Sequence, residues 1–552
     1  MKKTNFILLL FLPLAWLQAQ PCPNGFYDLH HNRIQARLNA GGDLFTDFED
    51  GYFLPDPVQG QSNPWTIFAA NLWVGGIDPG GNAQVFVPTY NNNGAASAGP
   101  ADFSSGLPVA ADCEDWDRLF AVKGADIAAF LADIPADLTT AIDLYPGILG
   151  WPGRGNPHFE TVYGFPLVEP LGGLAPFYDE NGDGLYNPLD GDYPAVIVKN
   201  LNPFVAGEMV WGAFNTLDQA GSIPLEVHLT AWAFDCEGLD ALNNTVFTSH
   251  KIIYHGQETF TSTYMGLWID FDIGCYVDDY LGTAPDLQAV FAYNRDLEDG
   301  DIGTNCSGGI PSFGENAPVQ SATFLGGSMD KAIYYNNSSV NNPPPGTADP
   351  NTLLEYYRVL TGSWSDGTPL TYGGSGYNPG NPTMADHFCP DDPANPQGWS
   401  MCASFLPEND RRVVASSVVG PLQPGQVDEL VTAWTHHPDP NLPCGLGDTY
   451  SEIEEIRSFY DNNFEDACLP FSAVREIEKA SFGLYPNPAT GEVAIDAGDR
   501  QVEEIFVFRA DGRPVFSEKA ATLLDVTGWS PGLYLVRLKT SAGWITEKLV
   551  VR

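Results

Sequence analysis

Apolar and polar residues alternate at period two through much of the chain, the pattern of strands that turn one face toward a core. Leu225, Val227 and Leu229 alternate with Glu226, His228 and Thr230, which predicts a strand buried on one face only. Similar runs predict strands over 65–76, 83–87, 245–255, 263–271, 413–418 and 428–435. A helical period occurs over 125–138, rich in alanine, and over 451–462. In the second, Ser451 and Glu454 stand as a capping box, and Ile453, Ile456 and Tyr460 share a face. Residues 300–412 are dominated by Asn, Pro, Gly and Ser, and are expected to be insertions or surface loops on a β scaffold. In the last 72 residues short β-rich runs alternate with Gly, Pro and Asp-Gly turns, as a small sandwich requires. There Tyr534, Val536 and Leu538 share a strand face, and Asp511-Gly512 supplies a tight hairpin turn.

The expected fold is therefore mainly β, with one or two elaborated, loop-rich β-sandwich domains and a C-terminal immunoglobulin-like sandwich. Lys2 and Lys3 precede an apolar run from Phe6 to Leu17 that is too short to span a bilayer, and Ala19 offers a small residue for cleavage. This divides the chain into a signal peptide (1–19), a loop-rich N-terminal β region (20–222), a β-sandwich region with long insertions and a terminal helix (223–468), a linker (469–480) and the terminal sandwich (481–552). Cys22 follows Pro21 and makes a poor lipid anchor. No later segment is long and apolar enough to cross a membrane, so no transmembrane insertion of the mature chain is expected.

Charge is shared unevenly. Of 25 basic and 70 acidic residues, the leader carries two basic ones and residues 481–552 carry eight basic and nine acidic. The body keeps 15 basic and 61 acidic residues, a formal charge of −46, which argues against nucleic acid as a partner and favours divalent cations. Nine cysteines follow the leader, enough for four disulfides and one free thiol in an oxidising exterior. No Cys-x-x-Cys pair occurs, which disfavours a zinc ribbon or a dithiol redox site.

The C-terminal pieces Tyr485-Pro486-Asn487-Pro488-Ala489 with Gly491, then Gly532-Leu533-Tyr534, then Lys548-Leu549-Val550-Val551-Arg552 stand in order and end the chain. They resemble the type A C-terminal sorting domain of type IX secretion cargo. The resemblance implies export across the outer membrane of a Gram-negative bacterium, engagement of the type IX machinery through these residues, and an extracellular or cell-surface destination. Looser pieces of the body are similar to exported proteins that carry the same tail and have no assigned activity. These are Ala70 to Gly76, Thr263 to Gly282, Val419-Gly420-Pro421 with Pro424-Gly425, and Phe459 to Phe464.

Inside the body the sharpest local signal is the run from Asp179 to Asp190, which matches a calcium loop of the form D-x-N-x-D-G. Asp179, Asn181 and Asp183 would ligate directly, Leu185 through its carbonyl, Asn187 directly or through water, and Asp190 last. Pro176, Pro188 and Pro194 make flanking helices doubtful, so a paired EF-hand is not expected. A second acidic group, Asp270, Asp272, Asp278 and Asp279, reads as a further metal site, a carboxylate pair for glycosidic cleavage, or a solvated surface. His436-His437 at a strand end is expected to be an exposed loop rather than a ligand pair, and the tryptophans at 65, 73, 211, 232, 268 and 434 are expected in the core. Ser375, among glycines, lacks the strand and helix of a nucleophile elbow. These readings converge on an exported, calcium-stabilised, non-enzymatic protein with a binding, adhesive or structural role toward a glycan or other surface ligand. The alternative is a secreted hydrolase that cleaves polysaccharide with paired carboxylates.

Overall fold

Strands account for 38% of the chain and helices for 14%, so the protein is mainly β. The computed structural model describes residues 22–468 and 482–552, apart from 91–95, 105–106, 136, 169–172, 200, 220, 301–304, 339–342, 498–501, 510–513, 520–521 and 541–542. The leader (1–19), the linker (469–480) and the Asp511-Gly512 turn lie outside the described residues.

The body is built on two antiparallel sheets. Five strands follow the order Lys331–Asn336, Arg411–Leu422, Phe260–Phe271, Ile67–Ile77 and Ala83–Phe86. The larger sheet runs from Asp279–Ala284 through Ala289–Asn294, Val319–Phe324, Val427–His437, Thr245–Tyr254 and Leu225–Ala233 to Glu208–Asn215. Both Ser97–Ala98 and Phe120–Lys123 pair with the last of these. Leu72, Val74, Leu267 and Val414 of the smaller sheet share one core with Val227, Leu229, Ile252 and Val290 of the larger, which makes a two-layer sandwich. Where the middle strand Phe260–Phe271 runs beside Arg411–Leu422, a Cβ on Gly266 would come within 2.2 Å of the Ala415 carbonyl oxygen, so only glycine fits.

The larger sheet is covered on its other face as well. Met209, Trp211, Trp232, Phe247 and Ala433 point away from the sandwich core into a second one, with Trp116, Phe120, Trp151 and Phe159 from the preceding segment and Ile456 and Tyr460 from the helix Thr449–Asp461. Every position of Leu225–Ala233 is therefore buried, and the alternation Glu226, His228, Thr230 marks a second buried face, not a solvated one. The polar positions are tolerated because they are paired: Glu226 Oε1 lies 2.8 Å from His228 Nε2, and its Oε2 lies 2.7 Å from His255 Nε2.

Three local expectations change. Residues 300–412 contribute Val319–Phe324 to the interior of the larger sheet and Lys331–Asn336 to the smaller, as well as the helix Leu353–Leu360. Their Asn/Pro/Gly background hid two short strands, buried at every position but Lys331, that need no alternation. The C-terminal helix of the body starts at Thr449, so Ser451 sits inside its first turn and donates to the Asp448 carbonyl instead of capping. Strands on both sides of residue 222 pair with one another in both large sheets, so that expected boundary falls inside the sandwich.

Four disulfides join Cys22 to Cys113, Cys236 to Cys468, Cys275 to Cys306 and Cys402 to Cys444, and leave Cys389 free and buried. The six expected core tryptophans are all buried, at 5% exposure or less. The tail forms its own small sandwich. Gly483–Tyr485, Glu492–Asp496 and Leu523–Asp525 make one sheet, and Pro514–Lys519, Val502–Arg509, Gly532–Thr540 and Gly543–Val551 the other, around Val493, Val507, Tyr534, Val536 and Leu538.

Candidate functional site

The four acidic residues grouped in the sequence separate into two linked clusters, and none is solvated: Asp270, Asp272, Asp278 and Asp279 are 2%, 7%, 6% and 4% exposed. Asp270 is the penultimate residue of the middle strand of the smaller sheet, and Asp272 follows the strand end on the same face. The neighbouring strand begins at Arg411, so Asp410 and Arg412 approach from beside them. One carboxylate oxygen from each of Asp270, Asp272 and Asp410 lies within 4.8 Å of the other two. Arg412 answers part of this charge, with Nη2 3.2 Å from Asp270 Oδ2, Nη1 2.6 Å from Asp410 Oδ1, and a bond from Nη2 to the Tyr90 hydroxyl. Asp410 Oδ2 also accepts from the Asn337 amide at 2.7 Å. Asp270 Oδ1 is buried without a hydrogen-bond partner. Burial, with Asp410 adding to it against the pull of Arg412, pushes the Asp270 carboxyl up to about 7. Burial beside Asp270 and Asp410 holds Asp272 well above the carboxylate range.

Asp278 and Asp279 belong with Asp299, a residue sequence reasoning missed because nothing in its loop sets it apart. Asp299 is fully buried and takes the Cys275 and Phe313 backbone N–H groups. Asp278 accepts from the Gly300 N–H at 2.8 Å, and Asp279 from the Ile273 N–H at 2.8 Å, while Oδ1 of each has no hydrogen-bond partner. Burial raises the Asp278 carboxyl to about 7, with the charge of Asp299 adding to it, and raises Asp279 well above its ordinary value, with the charges of Asp278, Asp299 and Asp272 adding to it. Cys275 and Cys306 also approach Asp299, but they are joined to each other and offer no thiolate to a metal.

In the loop from Asp179 to Asp190, the side-chain oxygens are turned into the loop. Asp179 accepts from the Gly182 and Gly184 N–H groups, Asn181 from Asp183 and Asp183 from Leu185. Gly182 and Gly184 hold positive φ, of 72° and 79°, as the sharp turn requires. Asn187 donates to Asp190, which is exposed at the end of the short 3-10 turn Pro188–Asp190. The buried carboxylate of this region is Asp192, which was not among the expected ligands. Fully buried, it ties the two limbs by accepting from the Glu180 and Asn187 N–H groups.

A cleft of about 610 Å3 opens between the strands Ile34–Asn39 and Phe53–Pro55 and the loop after them, lined by His30, Gln35, Asp47, Asp50, Tyr52 and Trp65 among others. Tyr52, one of its lining residues, is held by Arg37, whose guanidinium lies 3.9 Å from the Phe26 and Tyr52 ring centres and pairs doubly with Asp28 at 2.7 and 2.8 Å. Asp47 is committed to structure: Oδ1 accepts from the Glu49 and Asp50 N–H groups, and Oδ2 faces Arg37 at 4.0 Å. Asp50 remains open to the cleft, its carboxyl raised by partial burial and by Asp47 and Glu49. The only sequence signal for this site was the acidic and aromatic run Asp47 to Tyr52, which resembles many solvated turns.

Ser321, His437 and Glu452 form a hydrogen-bonded series of nucleophile, base and carboxylate types. His437 Nε2 lies 2.9 Å from Ser321 Oγ, and Nδ1 pairs with Glu452. Ser321 has no exposed surface inside the larger sheet, so it has no access to an external substrate. His436 and His437 are buried at 5% and 3% exposure within the strand Val427–His437, which corrects the expectation of an exposed loop. Ser375 lies in a turn, and its carbonyl accepts from Tyr334.

In the tail, the first and last motif pieces meet. Asn487 donates to the Lys548 carbonyl at 2.6 Å and accepts from the Val550 N–H at 2.9 Å, and Ala489 and Val551 form a parallel bridge beside it. Tyr485, Pro486, Asn487, Pro488, Lys548 and Arg552 are exposed, and Tyr534 is buried with its hydroxyl on the Ser530 carbonyl. Residues 483–552 match the family described as a secretion system C-terminal sorting domain, so this chain carries the sorting tail of type IX secretion cargo. That tail makes it a protein destined for secretion or the cell surface through the type IX machinery. No helix among the described residues is long and apolar enough to cross a membrane. No curated protein matches the chain. Among solved structures it is similar to a polysaccharide lyase (9% identity, TM-score 0.18), covering 71% of this chain and 41% of the lyase. A GalM/aldose epimerase homologue from C. elegans (8% identity, TM-score 0.21) covers 75% of this chain and 99% of its own. At these scores neither neighbour defines a function here.

Proposed function

We propose that the exported body binds a carbohydrate at the outer surface of a Gram-negative bacterium through the cleft between Gln35 and Trp65, as an adhesive or structural protein. The carrying observation is the composition of that cleft. About 610 Å3 suits one or two sugar rings, and His30, Gln35 and Asp50 offer hydroxyl partners around the Tyr52 ring. Hydrolysis is the weaker reading. Glycosidic cleavage needs two free carboxylates, and Asp47 is spent on two backbone N–H groups and on Arg37. In the same reading the loop 179–190 takes calcium through Asp179, Asn181, Asp183, the Leu185 carbonyl, Asn187 and Asp190. The inward turn of the first three side chains supports this, and the ion would brace the loop without taking part in recognition.

A glycan array with the purified full chain, followed by calorimetry on the best ligand, tests the cleft. Asp50→Asn and His30→Ala are expected to weaken binding at least tenfold without changing the thermal midpoint. Turnover of any polysaccharide that Asp50→Asn abolishes would sink the binding reading in favour of the hydrolase.

A further inference from the structure

Six aspartates, Asp270, Asp272, Asp278, Asp279, Asp299 and Asp410, are each 7% exposed or less. They form an electrostatically connected string: Asp272 feels Asp270 and Asp410, and Asp279 feels Asp272, Asp278 and Asp299. Arg412 is the cation that pairs with members of this string, through Asp270 and Asp410. Several buried carboxylates facing one guanidinium leave an uncompensated charge that a low-dielectric interior tolerates only with protons or a further cation.

The geometry at the Arg412 end favours a cation. The oxygens of Asp270, Asp272 and Asp410 that approach one another do so within 4.8 Å. Oxygens that ligate one calcium at 2.3–2.6 Å lie no more than about 5 Å from one another, so these three are close enough to share an ion. Magnesium demands near-ideal octahedral geometry and dehydrates reluctantly, so a buried, irregular set of carboxylate oxygens suits calcium better. Asp270 provides the second, independent sign: Oδ2 is engaged by Arg412, and Oδ1 is buried with no partner. The Asp410 oxygens each hold one hydrogen bond and keep a lone pair for a metal. No thiol or imidazole contributes to this donor set, which makes it hard and all-oxygen, suited to calcium over zinc or copper.

We infer that Asp270, Asp272 and Asp410 form an interior calcium site at the end of the sandwich's middle strand, oriented by Arg412 and separate from the loop 179–190. The ion would pin the departure of the strand Phe260–Phe271 to the entry of its neighbour Arg411–Leu422. Trp65 packs beside Asp272 and also lines the cleft, so the site stands directly behind the proposed binding surface. The inference does not rest on the carbohydrate reading or on the loop.

The test is calorimetric titration of the purified full chain, stripped of divalent ions, with calcium chloride and, in parallel, magnesium chloride. Asp183→Ala disables the loop, so any remaining site is interior. Expected is one calcium per Asp183→Ala chain, bound at least tenfold more tightly than magnesium, with a calcium-dependent rise in thermal midpoint. Adding Asp272→Asn to that variant should abolish both. A folded Asp183→Ala chain that takes up no calcium overturns the inference, as does a double variant that binds like the single one. Should the double variant fail to fold, a terbium-soaked crystal of Asp183→Ala locates the ion by anomalous scattering. Density between Asp270, Asp272 and Asp410 supports the site, and density confined elsewhere overturns it.

Discussion

Arg412 lies 3.2 Å from Asp270 across neighbouring strands, and the same guanidinium holds Asp410 at 2.6 Å and the Tyr90 hydroxyl at 2.8 Å. All three charged groups are nearly solvent-free. Removing the guanidinium would strand two carboxylates next to Asp272 with no compensating charge, and breaking a buried pair in this way costs about 3–5 kcal/mol. Arg412→Met is therefore expected to lower the unfolding free energy by that amount in urea titrations, with a smaller m-value change than midpoint change. Arg412→Lys should recover little of the loss, because a single ammonium cannot reproduce the forked contacts.

Asp278 predicts the shape of the stability curve near neutrality. Burial raises its carboxyl to about 7, above the ordinary aspartate value of about 3.9. The folded state then holds a proton that the unfolded chain has released, so stability falls as pH rises between those two values. In cation-free buffer the contribution is on the order of a few kcal/mol, complete by pH about 8. Asp278→Asn should flatten this slope in thermal midpoints measured from pH 4 to 8, and a variant that keeps the full slope would assign it to other groups.

How much of this was legible in the sequence follows from what each pattern depends on. The strands at 67–77, 225–233 and 427–437 were visible because alternation or an unbroken apolar run is local information. Covering of both faces of the larger sheet was not, because it depends on Trp116, Trp151 and Phe159, which come from a loop-rich segment with no period of its own. The tail was readable at the level of motif and strand, but the bonding of its first motif to its last through Asn487 was not, because that contact exists only in the folded domain. The acidic groups show the sharper limit. Spacing placed Asp270 and Asp272 on one strand face, yet Asp410 and Arg412 lie far along the chain and join them through strand pairing, while Asp299 reaches Asp278 and Asp279 from a separate short strand. The cleft was least legible of all, since nothing in the run from Asp47 to Tyr52 tells that the Glu49 and Asp50 N–H groups engage Asp47 while the Asp50 carboxylate faces the cleft.

Glu226 controls the acid limb. Burial alone would raise its carboxyl, but hydrogen bonds and charge from His228 and His255 outweigh it and bring it down to about 2. A depressed folded value means the unfolded chain takes up the proton first. The stabilisation is then fully present above about pH 4.5 and lost as pH falls toward 2, on the order of 3 kcal/mol for a shift of this size. Glu226→Gln should be less stable than the parent at pH 6 and should converge with it near pH 2. Denaturant midpoints at the two pH values are the measurement, and equal gaps at both would remove Glu226 from the account.

Asn487 ties the tail's first motif to its last. Its side-chain amide bonds the Lys548 carbonyl with the nitrogen and the Val550 N–H with the oxygen, so the first motif clips the backbone of the last strand. The neighbouring main-chain bonds, Ala489 N–H to the Val550 carbonyl and Arg552 N–H to the Ala489 carbonyl, continue the same seam to the chain end. Asn487→Ala removes both side-chain bonds, which are exposed and so contribute about 1–2 kcal/mol together. Asn487→Asp keeps the acceptor for Val550 but loses the donor to Lys548, and it should fall between the parent and the alanine variant. Limited proteolysis of the full chain is expected to cleave the tail several-fold faster in Asn487→Ala while the body digests at the parent rate. Equal tail cleavage in all three proteins would show that the main-chain seam alone holds the terminal strand.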